Sequence, residues 1–374
     1  MQDISLTQLQ ALERLVLWLA FGLALALGWI VQRTHFCTMG ALSDMLLMHD
    51  ATRLRQWALA LAVAMLGLAG MAYVGWVSPL DTIYALPRFP WLSYVLGGLL
   101  FGAGMVLASG CPTKNLVRLG GGSLKALVVL LVMGVSALAT MRGAPGLMRV
   151  QLTDPLLAGA ASGPFLGQWL SSALGFSSSL GLLLMAALVS LTLLIWVWRG
   201  PGFMRANNLL AGLGIGAILL GVWYVSGVIG HVPEHPETLE SVFVATASGR
   251  MEGLSFTGPV AQWLDAFMYQ ADGRKRITLG MVLVPGVVLG AALSAWQSGA
   301  FRWEGFTRTS DLARHLVGAC CMGVGGVSAM GCTFGQGLTG LSTLNWGSLV
   351  AVAAIVVGAW VTLRVQWWLA ERHV

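Results

Sequence analysis

Nine runs of mostly apolar residues, each about twenty long, follow one another along this chain and constrain its fold more than any other feature. In a bilayer every backbone N–H and C=O must be satisfied within the protein, and a helix meets that demand while crossing about 30 Å in roughly 20 residues. The runs predict spanning helices over residues 12–32, 57–77, 92–109, 123–141, 178–198, 208–230, 277–298, 312–330 and 346–368. Composition agrees: 57% of the residues are hydrophobic and 10% charged, against roughly 25% charged in a soluble domain. The expected fold class is all-α, a polytopic membrane protein with residues 1–374 as a single membrane domain. The opening stretch MQDISLTQLQALER carries acids where a signal peptide is basic, so the first run reads as a retained span.

Between the spans lie apolar or glycine-rich pieces too short to cross: HFCTMGALSDMLL from His35, GCPTKNLVRLGG from Gly110, SFTGPVAQWLDAFMY from Ser255 and GCTFGQGLTG from Gly331. They read as re-entrant short helices, because irregular backbone at membrane depth is tolerated only inside protein or beside a water-filled cavity.

The chain also repeats itself. GGLLFGAGMVLASGC from Gly97 aligns with GACCMGVGGVSAMGC from Gly318 at a constant offset of 221, which pairs Gly97 with Gly318, Gly102 with Gly323, Gly104 with Gly325, Gly110 with Gly331 and Cys111 with Cys332. A GSL triplet recurs at Gly122 and Gly347 after a short insertion. More weakly, HFCTMGALSD around Cys37 faces SFTGPVAQWLD around Thr257. The expected halves are 12–141 and 208–368, with 178–198 as the linking span. Four spans per half plus one link turn the second half upside down, the inverted repeat common among transporters.

Thirteen of the 21 Lys and Arg side chains fall in loops of one face: Arg33, Arg53, Arg55, Lys114, Arg118, Lys125, Arg199, Arg205, Arg302, Arg308, Arg314, Arg364 and Arg372. Three of the remaining eight are packed into Arg274, Lys275 and Arg276. That bias predicts an outside N-terminus and a cytoplasmic C-terminus. The net charge of +6 is thereby explained by loop topology rather than by nucleic-acid binding.

Five cysteines, Cys37, Cys111, Cys320, Cys321 and Cys332, include no CxxC pair and no Cys/His ligand spacing, so neither a disulfide framework nor a metal or cofactor is expected. Cys320 and Cys321 read as small apolar fillers within a helix. The others sit in the short pieces. Gly110-Cys111 is followed by Thr113 and Lys114, and Gly331-Cys332 by Thr333. A glycine turn before a new helix start presents unpaired N–H donors, which attract anions. A protonated thiol is a weak donor that can hold a soft sulfur briefly and release it, as conduction over several weak sites requires. A thiolate would repel a dianion. Helix N-termini favour the thiolate and apolar burial opposes it. The substrate-path candidates are Cys37, Cys111 and Cys332, with Gly110, Thr113, Lys114, Gly331, Thr333 and Thr257 beside them. Asp44 and Asp265, acids within short pieces, read as helix caps or partners of an Arg. His35 precedes the Cys37 site and has no assigned role.

QRTHFCTMGALSD from Gln32, FGAGMVLASGCPTKNLVRLGGG from Phe101 and MGVGGVSAMGCTFGQGL from Met322 resemble the signatures of the YeeE/YedE family of bacterial sulfur-compound transporters. The resemblance runs from about residue 22 to 363, with no motif in 142–207. It implies an inner-membrane uptake protein for thiosulfate or a related small sulfur anion. It also implies that Cys37, Cys111 and Cys332 line the path and relay the anion through S–H contacts. Here the loops read Ser109-Gly110-Cys111-Pro112-Thr113-Lys114 and Met330-Gly331-Cys332 rather than the family's Gly-Gly-Cys followed by small residues. A small cytoplasmic sulfur-carrier protein is a candidate partner. The alternative is a membrane thiol oxidoreductase or sulfurtransferase, which needs a thiolate and a neighbouring base.

Overall fold

Every predicted span is helical in the computed structural model, which describes residues 6–85, 89–152, 157–158, 164–236, 240–269 and 276–371. In chain order the helices are α1 (Leu6–Thr34), α2 (Thr38–Ser43), α3 (Thr52–Val74), α4 (Trp91–Leu107), α5 (Pro112–Gly120), α6 (Leu124–Arg142) and α7 (Ala144–Leu152). They continue with α8 (Leu166–Leu174), α9 (Ser178–Trp198), α10 (Ala206–Tyr224), α11 (Thr257–Met268), α12 (Leu279–Gln297), α13 (Thr309–Ser328) and α14 (Trp346–Glu371). Wider π-helical turns occupy Asp44–Met48, Val225–Ile229 and Gly335–Gly340. Among the described residues, strands form only two ribbons, pairing Phe89–Pro90 with Leu157–Ala158 and His231–Val232 with Val242–Phe243.

Among the described residues, eight helical stretches are long and apolar enough to cross a membrane, and the protein is a multi-pass, all-α membrane protein. The remaining predicted span, 312–330, is α13, whose first two turns carry Asp311, Arg314 and His315. These polar groups lower its hydropathy, and α13 lies against α4 and α6. Two further helices, α7 and α8, fall where no span was expected, and α8 packs on α9.

Small residues let the spans approach closely, since lipid supplies no hydrophobic drive for helix association. A Cβ placed on Gly104 would sit 2.6 Å from the Gly318 carbonyl oxygen, and one on Gly318 would sit 2.8 Å from the Gly104 carbonyl oxygen. Gly97 likewise abuts Ala329. Because Gly104 meets the middle of α13 and the earlier Gly97 meets its end, α4 and α13 run antiparallel. The outer glycines face different neighbours: Gly102 lies on Ile355 and Ala359 of α14, Gly323 on Met133 and Ala137 of α6.

The contacts follow one rule. α1 packs on α12 as α10 packs on α3; α4 on α14 as α13 on α6; α2 on α3 as α11 on α12; and α5 on α12 as the turn at Gly335–Gly340 on α3. Exchanging α1 with α10, α3 with α12, α4 with α13 and α6 with α14 therefore returns pairings that are present. α9, which coincides with the expected link 178–198, packs on α3 outside this scheme.

Charges gather at the two ends of the bundle. At one end Arg53 pairs with Asp44 at 3.0 Å, Lys125 with Asp311 at 3.2 Å and Glu304 at 3.4 Å, and Arg118 with Glu304 at 3.7 Å. At the other, Arg142 pairs with Asp265 at 3.1 Å and Arg276 with Glu13 at 3.0 Å. Asp44 and Asp265 thus each have an Arg partner. Arg274, Lys275 and Arg372 lie outside the described residues.

Candidate functional site

Two helix ends build the site. At the end of α4, Ala108 N–H donates to Gly104 O (2.9 Å), Ser109 N–H to Val106 O (3.2 Å) and Gly110 N–H to Met105 O (2.9 Å). At the end of α13, Ala329 N–H donates to Gly325 O (2.8 Å), Met330 N–H to Val327 O (3.1 Å) and Gly331 N–H to Gly326 O (2.8 Å). Both are Schellman stops, and both put a non-glycine in the left-handed position: Ser109 at φ 56° and Met330 at φ 54°. The chain then turns into Cys111 and Cys332, whose carbonyls accept the N–H of Asn115 (3.0 Å) and Gln336 (2.7 Å). Each thiol therefore stands at the start of a new helical piece.

Cys37 has the same setting. It is the N-cap of α2, and its Sγ accepts the Gly40 N–H at 3.3 Å, as Cys332 Sγ accepts the Gly335 N–H at 3.4 Å. All three cysteines are free and buried, whereas Cys320 is exposed and Cys321 partly so. Cys111 is close enough to feel both Cys37 and Cys332, and it faces the Thr333 side chain and the Lys114 N–H. Neither of these contacts has hydrogen-bonding geometry. Cys111 thus lies within electrostatic range of the other two predicted thiols, and the contact of Phe36 with Phe334 joins the Cys37 and Cys332 segments.

The threonines behave alike. Thr113 and Thr257 are 1% exposed and Thr333 is 2% exposed. Their Oγ1 atoms, with that of Thr38, are buried and have no hydrogen-bond partner within the protein. Leaving a buried hydroxyl unpaired costs about 1–3 kcal/mol. Thr257 stands against Gly326, where an added Cβ would meet its Oγ1 at 3.0 Å.

Aromatic rings beside these groups hold the segments together. Phe36 stacks on Trp57 at 5.5 Å, and Phe334 meets Phe36 (5.9 Å), Trp57 (5.8 Å) and Phe256 (5.9 Å) edge-on. Phe36 precedes Cys37, Phe256 precedes Thr257 and Phe334 follows Thr333, so one cluster fixes three of the site's segments. Sequence reasoning missed this scaffold and Thr38. The sequence places a Phe beside Cys37, Thr257 and Thr333, which does not by itself say that the rings meet.

The backbone carbonyls at the turns are tied back. Asn115 Nδ2 donates to Gly110 O (3.0 Å) and Cys111 O (3.1 Å), and Gln336 Nε2 donates to Ala329 O (2.7 Å). These carbonyls are thereby engaged within the protein, while Asn115 Oδ1 is buried without a hydrogen-bond partner. Lys114 and Arg53 lie within electrostatic reach of His35 on the side of Cys37. Toward the other end, a cavity of about 310 Å³ is lined by Arg149, Ser255, Gly258, Gly326, Met330 and Gly331, among others. A smaller apolar cavity of about 100 Å³ lies against Thr38, Trp57 and Thr333. Among the described residues, no three His, Cys, Asp or Glu side chains are grouped to hold a metal.

The chain matches the model of the sulphur transport family over residues 33–361, a stretch that contains every candidate site residue. It belongs to that family. It is 28% identical over 346 residues to the thiosulfate transporter TsuA of Escherichia coli (strain K12), covering 89% of this chain and 90% of that protein. It is 26% identical over 356 residues to the thiosulfate transporter TsuA of Spirochaeta thermophila (strain ATCC 700085 / DSM 6578 / Z-1203), covering 92% and 97%. In this member of the sulphur transport family, the three buried thiols occupy the starts of helical pieces inside the bundle.

Proposed function

We propose that the protein carries thiosulfate, or a sulfur anion of the same build, into the cell along a path formed by Cys37, Cys111 and Cys332. The observation that carries this reading is the convergence of three buried, free thiols at helix starts within one multi-pass bundle. Gly110 and Gly331 shape the turns, Thr113, Thr257 and Thr333 line the path, and Lys114 raises the anion concentration at one mouth. The names of the two thiosulfate transporter relatives support the choice of anion.

The path lies between inverted halves, 12–141 and 208–368, with 178–198 as the link. This is supported by the antiparallel packing of α4 and α13 and by the exchangeable helix pairings. The protein sits in the bacterial inner membrane with its N-terminus outside and its C-terminus in the cytoplasm. A small sulfur-carrier protein receives the anion at the cytoplasmic face. The excess of Lys and Arg on that face supports this orientation.

Uptake of thiosulfate labelled on each sulfur in turn, by proteoliposomes with and without a pH gradient, tests the reading. Transport delivers both labels to the lumen in equal amounts. A sulfurtransferase instead leaves the terminal sulfur on a cysteine as a persulfide and releases sulfite.

A further inference from the structure

Resting on the transport reading, we propose that Thr113, Thr257 and Thr333 form a second set of substrate groups, hydroxyl donors for the oxygen end of the anion. Their partners would be the oxygens of a tetrahedral oxyanion whose one remaining position is a terminal sulfur.

Three observations converge on this. The Oγ1 atoms of Thr113, Thr257 and Thr333 have no hydrogen-bond partner within the protein, and all three side chains are at most 2% exposed. An unpaired buried hydroxyl destabilises the fold, and valine would fill the same space without that penalty. Elsewhere in the core, threonine hydroxyls of this chain find partners: Thr140 donates to Ser136 O at 2.8 Å, Thr339 to Leu254 O at 2.8 Å and Thr343 to Gly340 O at 2.7 Å. Unpaired threonines are therefore not the habit of this core. They stand where the thiols stand.

The placement is the third observation. Thr113 follows Cys111 by two residues, Thr333 directly follows Cys332 and faces the Cys111 thiol, and Thr257 borders α13 at Gly326, which also lines the cavity beside Gly331. Thiol and hydroxyl thus stand side by side at the starts of both helical pieces. The two differ in the partner they suit. A thiol is a weak, soft donor matched to a polarizable sulfur, whereas a hydroxyl is a stronger donor matched to a compact oxygen. An anion with one soft and one hard end can hold both at once. Sulfate lacks the soft end and hydrosulfide lacks the oxygens, so each engages only half of the groups. A site built to hydrogen-bond a particular group rejects the analogue that lacks it, because its own donors are left unpaired.

Valine and serine substitutions at the three positions test the proposal by two readouts: thermal unfolding in detergent without substrate, and uptake of labelled thiosulfate with sulfate as competitor. Thr113→Val, Thr257→Val and Thr333→Val should unfold at the wild-type temperature or above it, while KM for thiosulfate rises roughly tenfold to a hundredfold, as expected for a lost hydrogen bond to a charged group. Serine variants should transport close to wild type. In Thr→Val variants, the preference for thiosulfate over sulfate should narrow, because the hydroxyls no longer complete the two-ended match. Unfolding at a lower temperature with KM unchanged overturns the proposal and makes the hydroxyls structural. Unchanged KM and unchanged unfolding overturn it as well. If cysteine variants lose uptake while valine variants keep it, only this inference fails; if both keep it, the transport path itself is wrong.

Discussion

The helix ends that carry Cys111 and Cys332 agree bond for bond up to the thiol and part company immediately after it. Both stop in a Schellman turn with a left-handed Ser109 or Met330, and both return an N–H to the cysteine carbonyl. Beyond Cys111 the chain forms α5, with Pro112 in its first turn and two cations, Lys114 and Arg118. Beyond Cys332 it forms a π-helical turn, Gly335–Gly340, which is buried throughout and uncharged. There Gln336 is held by Ser348 Oγ at 2.7 Å and by its own bond to Ala329 O. Tyr84 adds a hydroxyl to the Gly335 carbonyl at 2.5 Å. The shared part places a thiol at a helix start. The divergent part differs in charge: the segment after Cys111 is basic, and the segment after Cys332 is uncharged and tightly bonded.

The strongest way to break this comparison is at the shared helix crossing. Gly104→Val and Gly318→Val each drive a side chain into the opposite backbone, and overpacking of that kind costs about 1–3 kcal/mol or more. Both variants should therefore give little folded protein in size-exclusion chromatography, and to the same degree. A large asymmetry between them would show that the two helix faces are not equivalent.

The stops themselves give a smaller effect. A β-branched residue resists the left-handed region, so Ser109→Val and Met330→Val should each lower stability by about 1–2 kcal/mol. Thermal unfolding in detergent checks this, with matched shifts expected at both positions. The smallest effect concerns the divergent charge. Lys114→Ala should slow uptake at low salt and much less at high salt, because the half-buried Lys114 still reaches solvent, where charge is screened over about 8–10 Å at physiological ionic strength. An effect independent of salt would make Lys114 a direct ligand of the anion.

The spans were legible because twenty apolar residues in a row leave few alternatives to a crossing helix. α7 and α8 were not, since nine residues of mixed polarity give no such signal. The repeat exposed Cys111 and Cys332 as partners, because their turns demand the same glycines. The GSL triplet suggested an offset growing from 221 at Cys332 to 225 at Gly347, but Gly122 lies in the turn before α6 whereas Gly347 lies within α14, so the two triplets are not equivalent in the fold. The Phe36, Trp57, Phe256 and Phe334 cluster was invisible for a different reason. Aromatic residues are common in membrane helices, and only the fold shows which of them meet. Thr38 escaped because an unpaired hydroxyl is a property of its surroundings rather than of the sequence.

The central claim is that the anion passes from thiol to thiol, and replacement of Cys37, Cys111 and Cys332 one at a time by Ala and by Ser tests it most directly. Thiosulfate uptake by proteoliposomes holding equal amounts of folded protein is the measurement. Each Ala variant should lose uptake by roughly tenfold to a hundredfold, the worth of one hydrogen bond to a charged group at about 1.5–3 kcal/mol. Ser variants should stay severely impaired, because a hydroxyl is a poorer match for a terminal sulfur. Changes at the exposed Cys320 and the half-buried Cys321 should leave uptake at the wild-type rate. Normal uptake by all three Ala variants would contradict the account and leave the backbone donors and threonine hydroxyls to carry the anion alone.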